Sequence, residues 1–475
     1  MNNFAATIPI LIVALSAIAA MLAEAFRQPG ERMPIAGLGL IGLAGAAIAS
    51  CFLWDTDAQS FGVVRADNFA LFINLILCTI GILTMVFSVD VVEREELPEG
   101  EYYALTLFAI SGMMLMAAAT DLLVIFLALE VLSLAVYVLT AIRRSSVAAA
   151  EAGFKYFLLG SLSSAFFLYG IAFAFAIAGS TRLDQIGTEM ASGPSATLAL
   201  LSVGLLAVGF AFKVSAVPFH MWTPDAYEGA PTIVTAFMST GVKAAAFAAF
   251  VRVFLSTLEP LQSNWVPILS AIAAVTMIVG TVVGVLQSNI KRMLAYSSIA
   301  HAGYLLLGII AANSSGKAAV LFYLLAYAVA NLGALGIVAL LGTADRPHDQ
   351  LRDFAGLWST RPGLAALMTV FLLSLGGFPP TAGFIAKWYI FAAAVQEGHY
   401  TLTIIAVLSS VVSVFFYLRI VVMMYMTEEP AAQPRPRVSV PAMAGLAFAM
   451  LATFYLGVLP TRVIDYALQS IQTIF

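Results

Sequence analysis

The chain has 475 residues, 61% of them hydrophobic and only 10% charged, with a formal net charge of −4. Soluble domains carry roughly 25% charged residues, so the composition excludes a soluble protein and places the chain in a lipid bilayer. Two cysteines outside any C-x-x-C, four scattered histidines and no basic patch leave no pattern for an iron–sulfur cluster, a zinc site or nucleic-acid binding.

Met1-Asn2-Asn3-Phe4 lacks a basic segment and reads as the start of a retained span, not of a cleaved signal. A span needs about 20 apolar residues. That rule predicts fourteen: 4–26, 34–54, 68–90, 102–119, 122–142, 152–178, 196–222, 231–255, 266–287, 294–312, 317–342, 363–396, 401–426 and 439–460. In the second span, Gly37, Gly39 and Gly42 match G-x-G-x-x-G. No strand precedes them, so the motif reads as close helix packing, not dinucleotide binding. The fourth and fifth spans are separated only around Thr120-Asp121, and the chain ends soon after the fourteenth.

The informative residues are charges inside these apolar runs. A charge near the bilayer centre costs roughly 2.5–3.5 kcal/mol on insertion scales, so it is paired, hydrated or used. Glu130 lies mid-way along the fifth span, with Ser133 and Tyr137 on its face at i+3 and i+7. Lys155 lies near one end of the sixth, where snorkelling competes with function. Lys213 and His220 flank Pro218 in the seventh, and Lys243 sits mid-way along the eighth. His301 follows Tyr296, Ser297 and Ser298 in the tenth. The twelfth is too long for one straight helix and contains Gly376-Gly377-Phe378-Pro379-Pro380 before Lys387. Arg252 and Arg419 lie near span ends and are expected to snorkel. Lysines near a switchable acid can load and release protons without a metal or cofactor. A structural ion pair pinning the helices is the competing reading, and an inert scaffold a third.

Spans four to eight and nine to thirteen read as two copies. Tyr137 and Tyr304, Gly170 and Gly336, Trp222 and Trp388, and Arg252 and Arg419 are each 166 or 167 residues apart. Five spans is an odd number, so the second copy must be inverted, the plan of many transporters. Each copy breaks its fourth helix at proline, Pro218 in one and Pro379-Pro380 in the other, and the freed carbonyls near Val214, Leu375 and Gly376 need partners. The expected fold is therefore an all-α membrane protein. Its parts are 1–100 (spans one to three), 101–262 (first repeat), 263–430 (second, inverted repeat) and 431–475 (last span). Loops after odd-numbered spans hold twelve Lys and Arg, including Arg32, Arg346 and Arg435. Loops after even-numbered spans, with the C-terminus, hold five. The odd loops should then be cytoplasmic and both termini periplasmic.

The run from Phe212 to Pro231, FKVSAVPFHMWTPDAYEGAP, resembles the signature of the antiporter-like membrane subunits of respiratory complex I, which share ancestry with Mrp-type cation/proton antiporters. Tyr227-Glu228-Gly229-Ala230-Pro231, Ser239 to Ala244, and Leu294 to Tyr304 resemble the N branch of that family. The likeness runs from about residue 100 to 430, and the long lateral helix of the L branch is absent. It implies a proton-translocating, non-redox subunit of NADH:quinone oxidoreductase in a bacterial plasma membrane. FMN, iron–sulfur clusters and quinone would be held elsewhere in the complex, with neighbouring antiporter-like subunits as partners. It also implies that Glu130 pairs with Lys213, that Lys243 is the central lysine and Lys387 the exit lysine, and that Lys155 is an additional one. The M branch typically has glutamate at the Lys387 position. Asp225 to Glu228 reads as a solvated cytoplasmic loop. The alternative is a subunit of an Mrp-type antiporter.

Overall fold

The computed structural model describes residues 4–28, 34–192, 196–343, 348–428 and 437–474. Thirteen helices among them are long and apolar enough to cross a membrane. The twelfth span is the exception. It consists of two 15-residue helices, Pro362–Gly376 and Ala382–Gln396, separated by the Pro379-Pro380 segment. Each half is about 22 Å long at 1.5 Å per residue, too short alone for a core of about 30 Å.

The seventh span stops earlier than 222. Its helix is Ala196–Val214, followed by an irregular segment around Pro218. Ser215 there has φ +65°, which ends the helix. A connecting helix, Trp222–Gly229, then leads into the eighth span, so the expected loop from Asp225 to Glu228 is helical. Both breaks hold a cis X–Pro bond, Val217–Pro218 and Pro379–Pro380.

Polar side chains start the spans where the chain enters hydrocarbon. Asp67, Asp121, Ser146, Asn289, Asn313 and Ser439 each accept a backbone N–H from the first turn of the helix that follows. The eighth (Thr232–Thr257), tenth (Ile290–Ala311) and eleventh (Ser314–Leu341) spans are almost wholly buried. The first, second, thirteenth and fourteenth bury about a third of their apolar stretch and form the periphery. Gly39 and Gly42 of the second span are packing glycines, since a Cβ on Gly39 would lie 2.6 Å from Met85 and one on Gly42 2.1 Å from Ser16, whereas one on Gly37 would meet only Pro34 at 3.7 Å.

The two copies make matching contacts at an offset of 168, slightly longer than the residue pairs alone indicated. Gly112 packs on the Leu132 amide and Ala128 carbonyl, and Gly280 on those of Ala300 and Tyr296. The Leu122 and Leu183 amides bond the Thr181 and Thr120 carbonyls; 168 residues on, Ile290 and Leu351 bond Asp349 and Ser288. Arg252 and Arg419 do not snorkel. Arg252 Nε donates to the Ala117 carbonyl at 3.0 Å, and Arg419 Nη1 to the Val285 carbonyl at 3.1 Å, so each closes the C-terminal end of the first helix of its copy. Two of the residue pairs are unequal: a Cβ on Gly170 would meet Leu206 but one on Gly336 would meet Phe87, and Trp222 is buried on Tyr156, whereas Trp388 is exposed.

Three further elements that the span prediction lacked frame the ends of the chain and the first repeat. They are a hairpin (Ala58–Ser60 with Val64–Ala66), a short helix (Leu183–Ser192) and a C-terminal amphipathic helix (Thr461–Gln472). The Ala6 amide bonds Ser60 of the hairpin, and Ile474 lines one cavity with hairpin residues, so both termini lie on the hairpin face. The fourth span (Glu99–Ala118) ends at that face, where Ala119 bridges Val64. The ninth (Glu259–Val285) begins there. The copies therefore run in opposite directions. Arg32, Arg346 and Arg435 lie outside the described residues.

Candidate functional site

Glu130 is one turn from Ser133 on the fifth span (Leu122–Thr140). It does not meet Lys213 in an ion pair. Ser164 of the sixth span (Val147–Ala178) donates to Glu130 Oε1 at 2.5 Å. Lys213, in the last turn before the break, donates to Ser133 Oγ at 2.6 Å. Ser133 in turn gives its hydroxyl proton to the Leu129 carbonyl, so its oxygen is free to accept the amine. The acid and the serine that holds the lysine thus sit on neighbouring positions of one helix face, and acid and lysine are each held by a different serine. Lys213 also lies 5.4 Å from the Tyr137 ring centre and 5.6 Å from that of Tyr156, within cation–π range.

Lys243 follows a widened helical turn, Met238–Val242, in the most deeply buried span. Its Nζ donates to the Ser298 carbonyl at 2.5 Å. Ser239, one turn earlier, accepts from Asn331 at 2.7 Å. His301, one turn beyond Ser298, is bonded through Nδ1 to Tyr323 at 2.6 Å and through Nε2 to Tyr417 at 3.2 Å. Tyr417 also meets Ser297. The histidine belongs to a tyrosine network beside the lysines and touches none of them directly.

Lys387 fills the second break. Its Nζ donates to the Leu375 and Gly376 carbonyls at 3.0 and 2.9 Å and to Ser410 Oγ at 2.8 Å. Those are the two carbonyls that the Pro379-Pro380 break was expected to free. Gly377 has φ +87°, and a Cβ there would lie 3.0 Å from Lys387 Cδ, so the backbone turn leaves room for the lysine stem. Lys387 lies 5.3 Å from the Tyr304 ring centre, as Lys213 does near Tyr137.

Lys155 and His220 stand apart from this line. Lys155 pairs with Glu151 at 2.7 Å and Asp225 at 2.9 Å, and its side chain is 44% exposed. Arg292 completes the cluster on Asp225 and Glu228 at 2.8 and 2.7 Å. Burial pushes the Asp225 carboxyl up, but the hydrogen bonds of Lys155 and Arg292 outweigh it and hold it below the ordinary carboxylate value. His220 is half-buried beyond the break, which dissolves the shared face with Lys213 that a regular helix would have given. Sequence reasoning missed Ser164, Ser410 and the Asp67 partner of Arg252; serines and helix-capping acids carry no signal of their own in such a chain. Among the described residues no three His, Cys, Asp or Glu side chains converge as metal ligands.

The transmembrane family model of NADH:quinone oxidoreductase and Mrp antiporters matches residues 119–413, which includes every residue above from Glu130 to Ser410. The "NADH-quinone oxidoreductase subunit N" of Trichlorobacter lovleyi is 43% identical, with 99% of this chain and 98% of that protein aligned. The chain belongs to the NADH-quinone oxidoreductase subunit N family. A second family member, from Moorella thermoacetica, is 40% identical over 99% of this chain and 98% of its own. A chain of respiratory complex I from Thermus thermophilus superposes with a TM-score of 0.82 at 34% identity, covering 96% of this chain and 98% of that one. A chain of the Mrp complex from Dietzia shares the fold (TM-score 0.85, 99% and 97% covered) at 22% identity. Identity over the full length therefore places the chain with subunit N, and the Mrp likeness is one of fold.

Proposed function

We propose that protons cross this chain through Lys213, Lys243 and Lys387, with Glu130 as the acid that biases Lys213. The chain is an antiporter-like, proton-translocating subunit of NADH-quinone oxidoreductase. One observation carries the relay assignment. The three lysines are 2, 2 and 5% exposed, and among the described residues none is ion-paired; each amine is held by serine oxygens or backbone carbonyls. An amine held by neutral oxygens can exchange ammonium for amine without stranding a buried carboxylate, whereas a locked ion pair cannot.

Quinone reduction elsewhere in the complex supplies the energy. It reaches the chain as a change in the Glu130 carboxylate, which either stays on Ser164 or swings one turn towards Lys213. FMN, the iron–sulfur clusters and quinone belong to other subunits, and neighbouring antiporter-like subunits flank this one. The membrane is the bacterial plasma membrane, with the hairpin face and both termini periplasmic. The working units are residues 1–100, 101–262, 263–430 and 431–475. Matched contacts at the 168-residue offset support the two middle ones.

The test is NADH-driven proton pumping in inverted membrane vesicles carrying Lys213→Ala or Lys243→Ala, with assembly of the complex checked in parallel. Pumping should fall in an assembled complex. Normal pumping in both variants would remove the relay assignment.

A further inference from the structure

A relay through Lys243 needs a route for protons from the odd-loop face. The connecting helix Trp222–Gly229 leads from the first break into the span that carries Lys243. Its outer side is held by charge: Arg292 pairs with Asp225 and Glu228, and Lys291 Nζ bonds the Ala230 carbonyl at 2.8 Å just beyond the helix. Its inner side carries Tyr227, which is 1% exposed. The Tyr227 hydroxyl has no hydrogen-bond partner. Neither has the hydroxyl of Ser298 (0% exposed) or of Tyr327 (4% exposed). The two tyrosine hydroxyls both approach the Ser298 hydroxyl without reaching hydrogen-bonding geometry. Ser298 is also the residue whose carbonyl receives Lys243 Nζ at 2.5 Å.

Three buried hydroxyls that face one another, all without a partner, are costly to keep in an apolar interior. They come from three separate elements: the connecting helix, the tenth span and the eleventh span. Packing alone would favour phenylalanine and alanine at these positions. A cluster of polar groups of this kind suits one bound water, which needs two to four polar partners.

We infer that Tyr227 is the entry relay residue for Lys243, passing protons from the odd-loop face through a hydroxyl cluster with Ser298 and Tyr327. The Tyr227 oxygen accepts the incoming proton as its own O–H proton moves on towards Ser298. Ser298 repeats the exchange, directly or through a bridging water, and the Lys243 amine becomes the ammonium. Only O–H and N–H bonds form and break, and each hydroxyl ends as it began. The role ties the connecting helix to the central lysine. The proposal rests on the relay reading of Lys243.

The test compares Tyr227→Phe, Ser298→Ala and Lys243→Ala in the assembled complex in native membranes. The readouts are NADH-driven proton pumping and its solvent deuterium isotope effect. Tyr227→Phe keeps the ring and removes only the hydroxyl, so assembly should be unchanged. Pumping should fall at least twofold, with a changed isotope effect, and Ser298→Ala should do the same. Ser298→Ala decides the matter if Tyr227→Phe fails to assemble. Lowered pumping in Lys243→Ala beside wild-type behaviour in the hydroxyl variants would overturn the Tyr227 assignment and leave the relay standing. Normal pumping in Lys243→Ala would overturn the relay itself, and this inference with it.

Discussion

Lys213 owes its chemistry to one hydroxyl. Ser133 is its hydrogen-bond acceptor at 2.6 Å, and a hydrogen bond to a charged group is worth about 1.5–3 kcal/mol. Ser133→Ala should therefore lower coupled proton pumping, and Ser133→Thr, which keeps the hydroxyl, should restore most of it; equal pumping in both would show that the serine is filler. Lys155 makes the opposite case. Its side chain is nearly half exposed and shared between Glu151 and Asp225, so its pairs are of the weak surface kind. Lys155→Ala is expected to leave pumping at its wild-type level in the same vesicle assay. The Asp225 carboxyl, held low by Lys155 and Arg292, contributes stability that is complete above the ordinary carboxylate value. That stability is lost only as pH falls through the lowered one. Asp225 therefore stays charged at neutral pH, and its removal should not alter the pH profile of turnover near neutrality.

At the scale of elements, the two breaks do different jobs with similar parts. Lys213 precedes its break and leans on the fifth span, whereas Lys387 follows its break and satisfies the carbonyls that the prolines set free. The helices around them are held by close backbone approach. A Cβ on Gly112 would lie 2.9 Å from the Leu132 amide, and one on Gly280 2.6 Å from that of Ala300. Backbone cannot yield as a side-chain tip can, so Gly112→Ala and Gly280→Ala should each cost about 1–3 kcal/mol. The loss is measurable as a lower thermal midpoint of the assembled complex, with similar values for the two sites because the contacts are equivalent.

Across the whole molecule, one buried pair joins the first three spans to the first repeat. Arg252, at the end of the eighth span, holds both Asp67 oxygens at 2.8 and 2.9 Å, and their side chains are 3% and 0% exposed. Asp67 also caps the third span. Removing one partner of a buried pair strands the other charge, at about 3–5 kcal/mol. Arg252→Ala is expected to reduce assembly of the chain into the complex. The double variant Arg252→Ala, Asp67→Asn should recover part of it, since it removes the stranded charge and keeps a cap. Quantifying the assembled complex in membranes distinguishes the two.

Composition, apolar runs and recurring residue pairs are enough to read a many-span membrane protein, the residues that are costly in it, and a middle written twice. A charge in hydrocarbon and a proline in a long apolar run are conspicuous because each carries a penalty that nothing local repays. Lys213, Lys243, Lys387 and both breaks were legible for that reason. What offsets those penalties comes from helix packing. Ser164 takes Glu130, Ser133 takes Lys213, and the arginines expected at the headgroups turn inward to close helix ends. Those partners are ordinary serines and backbone carbonyls far away in the chain, and a hydroxyl or carbonyl acquires its role only from which helix packs against it.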